Sequence, residues 1–228
     1  MTRLFVVVEG DTEQEVVKLC LAPHLNARQV WTTPIEVTTK RDRKTGQKLA
    51  KGGGHWMHWR KDICTVLRSN AADLRVTSLF DLYGLPEDFP RLDDCATERD
   101  TVVRAERLET AMREDIDDRR FIPYVQRHEF EALVLSGLEH LGEELVDADA
   151  REGLDALRAE LGETPPEDVN DGVDTAPSKR LLARVSGYNK KTHGPRVVEK
   201  VGIEELKRRC PRFGAWVSSL EALGEATP

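Results

Sequence analysis

The sequence has few of the features that define several common protein classes. Its longest uninterrupted apolar run, residues 4–8, is far shorter than the roughly 18 residues that a membrane span needs. No charged start followed by an apolar signal core is present, so we expect a cytoplasmic protein with no membrane segment. The four cysteines lie far apart with no C-x-x-C spacing, which disfavours a zinc cluster or a redox pair and favours free thiols.

Two catalytic signatures are also missing from the sequence. There is no G-x-x-x-x-G-K-[ST] motif, which excludes a nucleotide-binding P-loop of that kind. There is no G-x-S-x-G nucleophile elbow either. His55 and His58 have a helical spacing that could hold a metal, but no third soft ligand accompanies them. The chemistry must therefore come from other residues.

Charge is abundant and unevenly distributed. Residues 40–61 contain eight Lys or Arg against one Asp, and residues 178–200 contain seven against one Glu, although the whole chain carries −7. Such basic segments indicate either a localised anionic partner or solvated loops that face acidic neighbours. The candidate phosphate-binding residues are Arg41, Arg43, Lys44, Lys48, Lys51, Arg60, Lys61, Lys179, Arg180, Lys190 and Lys191.

Strand and helix patterns alternate along the first 140 residues. Apolar, β-branched runs predict strands at 4–8, 30–39, 74–80 and 121–125, and helices are predicted to begin near 12, 56, 98 and 128. The basic, glycine-rich segment 41–54 is predicted to be a loop. This alternation is typical of a mostly parallel, right-handed α/β sheet flanked by helices. Beyond it, apolar spacing predicts helices at 178–185, 203–209 and 213–223. We therefore expect an α/β core over 1–140 and a mostly helical extension over 141–228 that packs on it.

Carboxylates follow the predicted strands. Glu9 comes after the first strand, Asp81 after the third, and Glu129 and Glu131 after the fourth, while Glu13 lies one helical turn beyond Glu9. Ligands of an open α/β sheet collect at the carboxyl ends of its strands. Acids gathered there would repel one another unless a cation offset them, and hard oxygen ligands suit Mg²⁺ or Mn²⁺. Two such ions could activate water and stabilise the leaving oxygen of a phosphodiester.

A structural explanation of the same acids stays open at this point. Acidic residues after strands often cap helices, and Glu13 could simply favour the positive end of its helix dipole.

The motif Val8-Glu9-Gly10-Asp11-Thr12-Glu13 resembles the V-E-G-x-T-E opening of Toprim-like proteins, a fold shared by topoisomerases, primases and overcoming-lysogenization-defect nucleases. Three further motifs are similar to one bacterial domain-of-unknown-function family, numbered four-two-seven-six. They are Asp81-Leu82-Tyr83-Gly84-Leu85-Pro86, His128-Glu129-Phe130-Glu131-Ala132-Leu133 and Pro177-Ser178-Lys179-Arg180. The resemblance spans most of the chain and implies a Toprim-like fold.

The resemblance also implies a function. Relatives include metal-dependent nucleases that accompany ATPases of the ABC or SMC type, often in phage defence. By this match Glu9 is the first-strand acid, used for metal binding or acid–base work, Asp81 is the first acid of a D-x-D element, and Glu131 is the acid of an F-E element. The second D-x-D position is Tyr83, which removes one expected ligand.

The leading hypothesis is a nuclease that uses Mg²⁺ or Mn²⁺ and cleaves DNA or RNA, with DNA favoured over RNA as the predicted nucleic acid. Its catalytic residues would be Glu9, Asp81 and Glu13, its metal ligands Glu9, Asp81, Glu129 and Glu131, and its basic segments would hold the phosphate backbone. An ATPase partner and a homo-oligomer are further expectations. The alternatives are a non-catalytic Toprim-like partner subunit and a nucleic-acid-binding module without catalysis.

Overall fold

A parallel β-sheet organises the chain, which the computed structural model describes over residues 1–41, 48–51, 54–170 and 172–225. The strands are β1 (Thr2–Val8), β2 (Val30–Glu36), β3 (Thr38–Arg41), β4 (Lys48–Lys51), β5 (Leu74–Asp81), β6 (Phe121–Ile122) and β7 (Val125–Gln126). The main sheet has the order β2-β1-β5-β6, and β7 also pairs with β5. All of its pairings are parallel, which confirms the predicted α/β class.

Helices surround this sheet. They are α1 (Asp11–Val16), α2 (Ala22–Asn26), α3 (Trp56–Leu67), α4 (Thr101–Ile116), α5 (Glu131–Leu135), α6 (Leu138–Glu144), α7 (Ala148–Leu161), α8 (Pro177–Arg184), α9 (Lys190–Val201), α10 (Ile203–Arg209) and α11 (Pro211–Glu225). A π turn, Val17–Leu21, joins α1 to α2. Within the described ranges, none of these helices combines the length and the apolar character needed to cross a membrane.

Strand β1 is buried on both faces, which explains its continuous apolar sequence. Leu4 and Val6 belong to one apolar cluster, with residues of α1, α2 and the C-terminal helices, whereas Val7 belongs to a second cluster with α3 and α4. Successive side chains of a strand point to opposite faces, so one short run can contribute to both clusters. The sheet therefore lies between two helical layers.

The C-terminal helices pack directly on the sheet. The indole Nε1 of Trp216 donates a hydrogen bond to Thr77 Oγ1 at 2.9 Å, and the hydroxyl of Thr2 donates to the carbonyl of Leu223 at 3.0 Å. Leu206 of α10 belongs to the same apolar cluster as Leu4 and Val6 of β1. These contacts tie the last helices to the sheet, while the division of the chain at residue 140 stays a prediction.

Three local predictions were wrong. Within the segment 41–54, predicted as a loop, Arg41 and Lys48–Lys51 belong to β3 and β4, which pair with each other in antiparallel fashion. The strand predicted at 121–125 is divided into β6 and β7 around Pro123, which has no backbone N–H to donate. The helix predicted to begin near 128 begins at Glu131, because His128 has a left-handed backbone with φ of 62°.

Candidate active site

The carboxyl ends of β1 and β5 bring together acids that are far apart in sequence. The two strands are parallel neighbours, with Val8 opposite Leu79, so that Glu9 and Asp81 leave the sheet at the same edge. Asp81 Oδ1 accepts a hydrogen bond from the backbone N–H of Phe130 at 2.8 Å. This bond fixes the turn before α5 against the end of β5.

Lys190, the first residue of α9, lies among these acids. Its Nζ is 3.2 Å from Glu131 Oε2, 3.6 Å from Glu13 Oε1 and 3.7 Å from Asp81 Oδ2. We refer to Glu9, Glu13, Asp81 and Glu131 as the carboxylate cluster. Lys190 is thus the counter-ion of this cluster, and its predicted contact with a phosphate backbone stays a prediction.

Gly84, in the turn after β5, makes room for Glu9. A Cβ atom built on Gly84 would overlap the Glu9 carboxylate and would lie 3.1 Å from its carboxyl carbon. The charge of Glu9 also contributes to the raised pKa of Asp81. The turn that follows Asp81 therefore holds Glu9 beside it.

Burial and mutual repulsion raise the pKa values of Glu9, Asp81 and Glu131. Burial raises the pKa of Glu9 to about 7, with a further contribution from Glu13, while the charge of Lys190 opposes the rise. The pKa values of Asp81 and Glu131 are also raised, mainly by burial, and Lys190 again opposes the shift. Burial alone would lower the pKa of Lys190, but the neighbouring acids outweigh it and raise that pKa. Lys190 is therefore charged at neutral pH, where Glu9 exchanges a proton.

The residues of the carboxylate cluster fit a divalent cation. Glu131 is fully buried, and in the described part of the chain neither of its carboxylate oxygens has a hydrogen bond of good geometry. All four donors are carboxylates, the ligand type that Mg²⁺ and Mn²⁺ prefer. A single ammonium leaves most of the negative charge uncompensated. The cluster thus offers hard oxygen ligands and a need for positive charge.

Glu129, the fourth predicted metal ligand, is placed differently. Its Oε2 accepts a hydrogen bond from the backbone N–H of Ser178 at 3.0 Å, at the start of α8. An acidic side chain in this position accepts a hydrogen bond from a free N–H group and interacts favourably with the positive end of the helix dipole. The helix-capping explanation therefore accounts for Glu129.

A different group has the tightest arrangement of possible ligand atoms. Within the ranges given above, His24, Glu204 and Glu221 are the one set of three whose donor atoms all lie within 4.8 Å of one another. Lys207 Nζ is 2.8 Å from Glu221, and Arg28 is 3.3 Å from Glu204. Because these cations already balance the acids, we assign no metal to this group.

The first basic segment is only partly described. The backbone of Arg41, Lys48 and Lys51 lies in the β3–β4 hairpin, whereas Arg43 and Lys44 lie outside the described residues. On α3, Arg60 forms an ion pair with Asp115 at 2.9 Å, and Lys61 is exposed. The described members of this segment thus lie on β3, β4 and α3. The role of the whole segment in phosphate binding stays a prediction.

The second basic segment divides among three environments. Lys179 is exposed, Arg180 is paired with Glu160, and Lys191 Nζ lies 3.2 Å from Asp11. Only Lys190 reaches the carboxylate cluster among the residues predicted for this segment.

Tyr83, at the second D-x-D position, does not join the carboxylate cluster. Its hydroxyl forms a hydrogen bond with the side-chain amide of Asn170 and lies 3.3 Å from His128 Nδ1. No sequence pattern predicts a role for Asn170 or Gly84, and none links Lys190 to the acids. Gly84 nevertheless lies in the Asp81-Leu82-Tyr83-Gly84 motif, which marks its position without giving it a role.

Comparisons with known proteins identify similar structures and a family. Two solved structures of the C-terminal region of the Xanthomonas campestris pv. campestris OLD protein are similar to the chain. The one phased with platinum has 14% identity and a TM-score of 0.49, covering 99% of this chain and 93% of that one. The one phased with iodine has 16% identity and a TM-score of 0.45, covering 99% and 96%. No curated protein matches the sequence. A family model described as Domain of unknown function (DUF4276) matches residues 8–221, and the chain therefore belongs to the DUF4276 family.

Proposed function

We propose that the carboxylate cluster is the active site of a metal-dependent nuclease that cleaves phosphodiester bonds of nucleic acid. The observation that carries this proposal is the gathering of four acids, from three separate segments, around Lys190 at one edge of the sheet. Burying so much like charge is costly and is typical of functional sites. The resemblance of Glu9 and Asp81 to the acids of Toprim-like nucleases supports the same assignment.

Each residue of the cluster has a distinct part in this proposal. Asp81, Glu131 and Glu13 would hold Mg²⁺ or Mn²⁺, and such an ion would supply water activation and stabilisation of the leaving oxygen. Glu9 has a pKa of about 7, so it accepts or releases a proton at neutral pH. Lys190 balances the acids in the free protein and meets a phosphate oxygen of the substrate.

The partners of this activity remain predictions. An ABC- or SMC-type ATPase and a role in phage defence rest on the sequence resemblance alone. Exposed Lys61 and Lys179 are the described cations from the predicted set with side chains free to approach a phosphate backbone.

Cleavage of plasmid DNA, single-stranded DNA and RNA in Mg²⁺ or Mn²⁺ tests the proposal. We expect Asp81→Asn and Glu131→Gln to lower the cleavage rate at least about 100-fold, since each removes a charged ligand. Glu129→Gln is the matched control, because Glu129 caps α8 and should keep most of the activity. Equal rates for the wild type and Asp81→Asn would contradict the proposal.

A second candidate is a non-catalytic partner subunit that binds metal or nucleic acid. It is favoured by Tyr83 at the second acidic position and by Lys190, which already supplies positive charge to the cluster. Calorimetric titration with Mn²⁺ separates the two functions. Binding that Asp81→Asn abolishes, without cleavage of any substrate, would favour the subunit.

A further inference from the structure

A second cleft, of about 720 Å³, adjoins the turn after β5. It is lined by Tyr83 from this turn, by Arg99 and Arg104 at the start of α4, and by Arg127 and Asn170. None of these residues belongs to the predicted phosphate-binding set. We refer to this site as the arginine cleft.

The acids that line the arginine cleft already have partners. Asp100 accepts hydrogen bonds from two backbone N–H groups in the first turn of α4, at 2.8 and 3.3 Å. Asp168 is paired with Arg127, and Glu98 lies 3.4 Å from Arg107. Each of these acids is thus held by an ion pair or by backbone N–H groups.

Two of its arginines have no such partner. Over the described residues, neither Arg99 nor Arg104 has a carboxylate within ion-pair distance, and the Nε of Arg104 is buried without a hydrogen-bond partner. A buried guanidinium nitrogen without an acceptor is unfavourable, and guanidinium groups bind phosphate through charge-assisted hydrogen bonds. The two arginines therefore point to an anionic ligand.

Neutral polar groups complete the cleft. The side-chain amide of Asn170 donates to the hydroxyl of Tyr83 and lies 3.2 Å from His128 Nδ1. The left-handed backbone of His128 is held by a hydrogen bond from the N–H of Tyr83 to its carbonyl at 3.1 Å. Strained backbone of this kind persists where the surrounding structure enforces it, and it is concentrated at binding sites. The cleft thus has fixed hydrogen-bonding groups beside its charges.

We propose that the arginine cleft binds a phosphate monoester, whose charge of about −2 matches the two unpaired guanidinium groups. Carried by a nucleic-acid strand, this group is the terminal phosphate of the strand. Because Asp81 and Tyr83 share one short turn, the cleft then holds a strand end beside the carboxylate cluster. The identity of the carrier rests on the proposed function, whereas binding of the monoester does not.

Binding of single-stranded oligonucleotides without divalent cations tests this inference. The probes are identical strands with a 5′-phosphate, a 3′-phosphate or hydroxyl groups at both ends, measured by fluorescence anisotropy. We expect one terminal phosphate to tighten binding about tenfold in the wild type, through charge-assisted hydrogen bonds. Arg104→Gln should abolish this gain, and Arg113→Gln, an exposed position on the same helix, should keep it.

Three further measurements make the outcome decisive. In the first, a nucleoside monophosphate competes with the phosphorylated strand for the wild type. If it displaces the strand at the concentration at which the strand itself binds, the ligand is a free monoester, and the inference that the cleft binds a phosphate monoester still holds. Arg99→Gln repeats the test at an exposed position if Arg104→Gln does not fold. Asp81→Asn should abolish cleavage and keep the phosphate effect, which separates the cleft from the proposed function. Equal affinity for all three strands, or equal losses in Arg104→Gln and Arg113→Gln, would overturn the inference.

Discussion

The carboxylate cluster and the arginine cleft both adjoin one short turn and differ in their charge balance. Asp81, at the end of β5, belongs to the cluster, where four acids share one ammonium. Tyr83, two residues later, belongs to the cleft, where two guanidinium groups have no acidic partner within the described ranges. A tyrosine at the second D-x-D position therefore coincides with a change from a group of acids to a cleft that three arginines and three acids line together.

The two regions also differ in how their charges are balanced. In the cleft, one acid accepts hydrogen bonds from the first turn of α4, and the other two form ion pairs with neighbouring arginines. The acids of the cluster depend on one lysine from a helix more than 50 residues away from the nearest of them. The cluster should therefore be the more sensitive region to a single substitution.

Lys190→Met should have the largest effect. Removing the ammonium leaves buried carboxylates without a counter-ion, and the free energy of unfolding should fall by about 2 kcal/mol, somewhat below the value for a fully buried pair because Lys190 is partly exposed. Urea denaturation in a chelating buffer measures this change. Lys191→Met is the matched control, because its ion pair with Asp11 is exposed and should contribute less than about 0.5 kcal/mol.

Divalent cations sharpen the same comparison. If the cluster binds Mn²⁺, excess Mn²⁺ should restore much of the stability that Lys190→Met loses, since a ligand of the folded state stabilises it. The control variant should show a smaller gain. Equal stability of the two variants without metal would contradict the central place of Lys190.

Gly84→Ala should disturb the cluster without removing a charge. The added Cβ overlaps the Glu9 carboxylate, which must leave its present position. We expect Mn²⁺ affinity, measured by calorimetry, to fall about tenfold, which corresponds to about 1.4 kcal/mol. Gly142→Ala in α6 is the control, since its Cβ would meet the nearest atom at 3.6 Å and alanine favours a helix. Unchanged affinity in Gly84→Ala would show that Glu9 does not support the cation.

The meeting of Glu9 and Asp81 could be predicted from the sequence. Each follows a short apolar run of the kind that forms a buried parallel strand, and parallel neighbours end at the same edge. Glu129 shows the limit of that reasoning, because an acid after a strand is equally suited to cap a helix, and here it accepts from the start of α8.

The position of Lys190 could not be predicted in the same way. Gly194 and Pro195 interrupt the helical pattern of α9 and indicate a turn. In the folded chain α9 nevertheless continues through both residues. A Cβ on Gly194 would lie only 3.0 Å from the Phe130 ring, so glycine permits the close packing of α9 on this ring. Which side chain of α9 meets the acids depends on this packing.

The smallest expected effect is a pH dependence confined to the cluster. The pKa of Glu9 in the folded protein is about 7, above its ordinary value of 4.5, so between these values the folded chain binds more protons than the unfolded chain. The free energy of unfolding should therefore decrease as the pH rises through this window. The raised pKa values of Asp81 and Glu131 act in the same direction, whereas the raised pKa of Lys190 acts only at higher pH.

Glu9→Gln isolates this contribution. In urea denaturation with a chelator, the wild type should lose up to about 1 kcal/mol more than Glu9→Gln between pH 5 and pH 7.5, because solvent and Lys190 screen part of the effect. Arg99→Gln, in the arginine cleft, should follow the wild type, since it leaves the acids unchanged. Parallel pH profiles for the wild type and Glu9→Gln would mean that Glu9 ionises as it does in the unfolded chain. The carboxylate cluster and the arginine cleft would then differ in their numbers of acidic and basic side chains and not in the protonation of their acids.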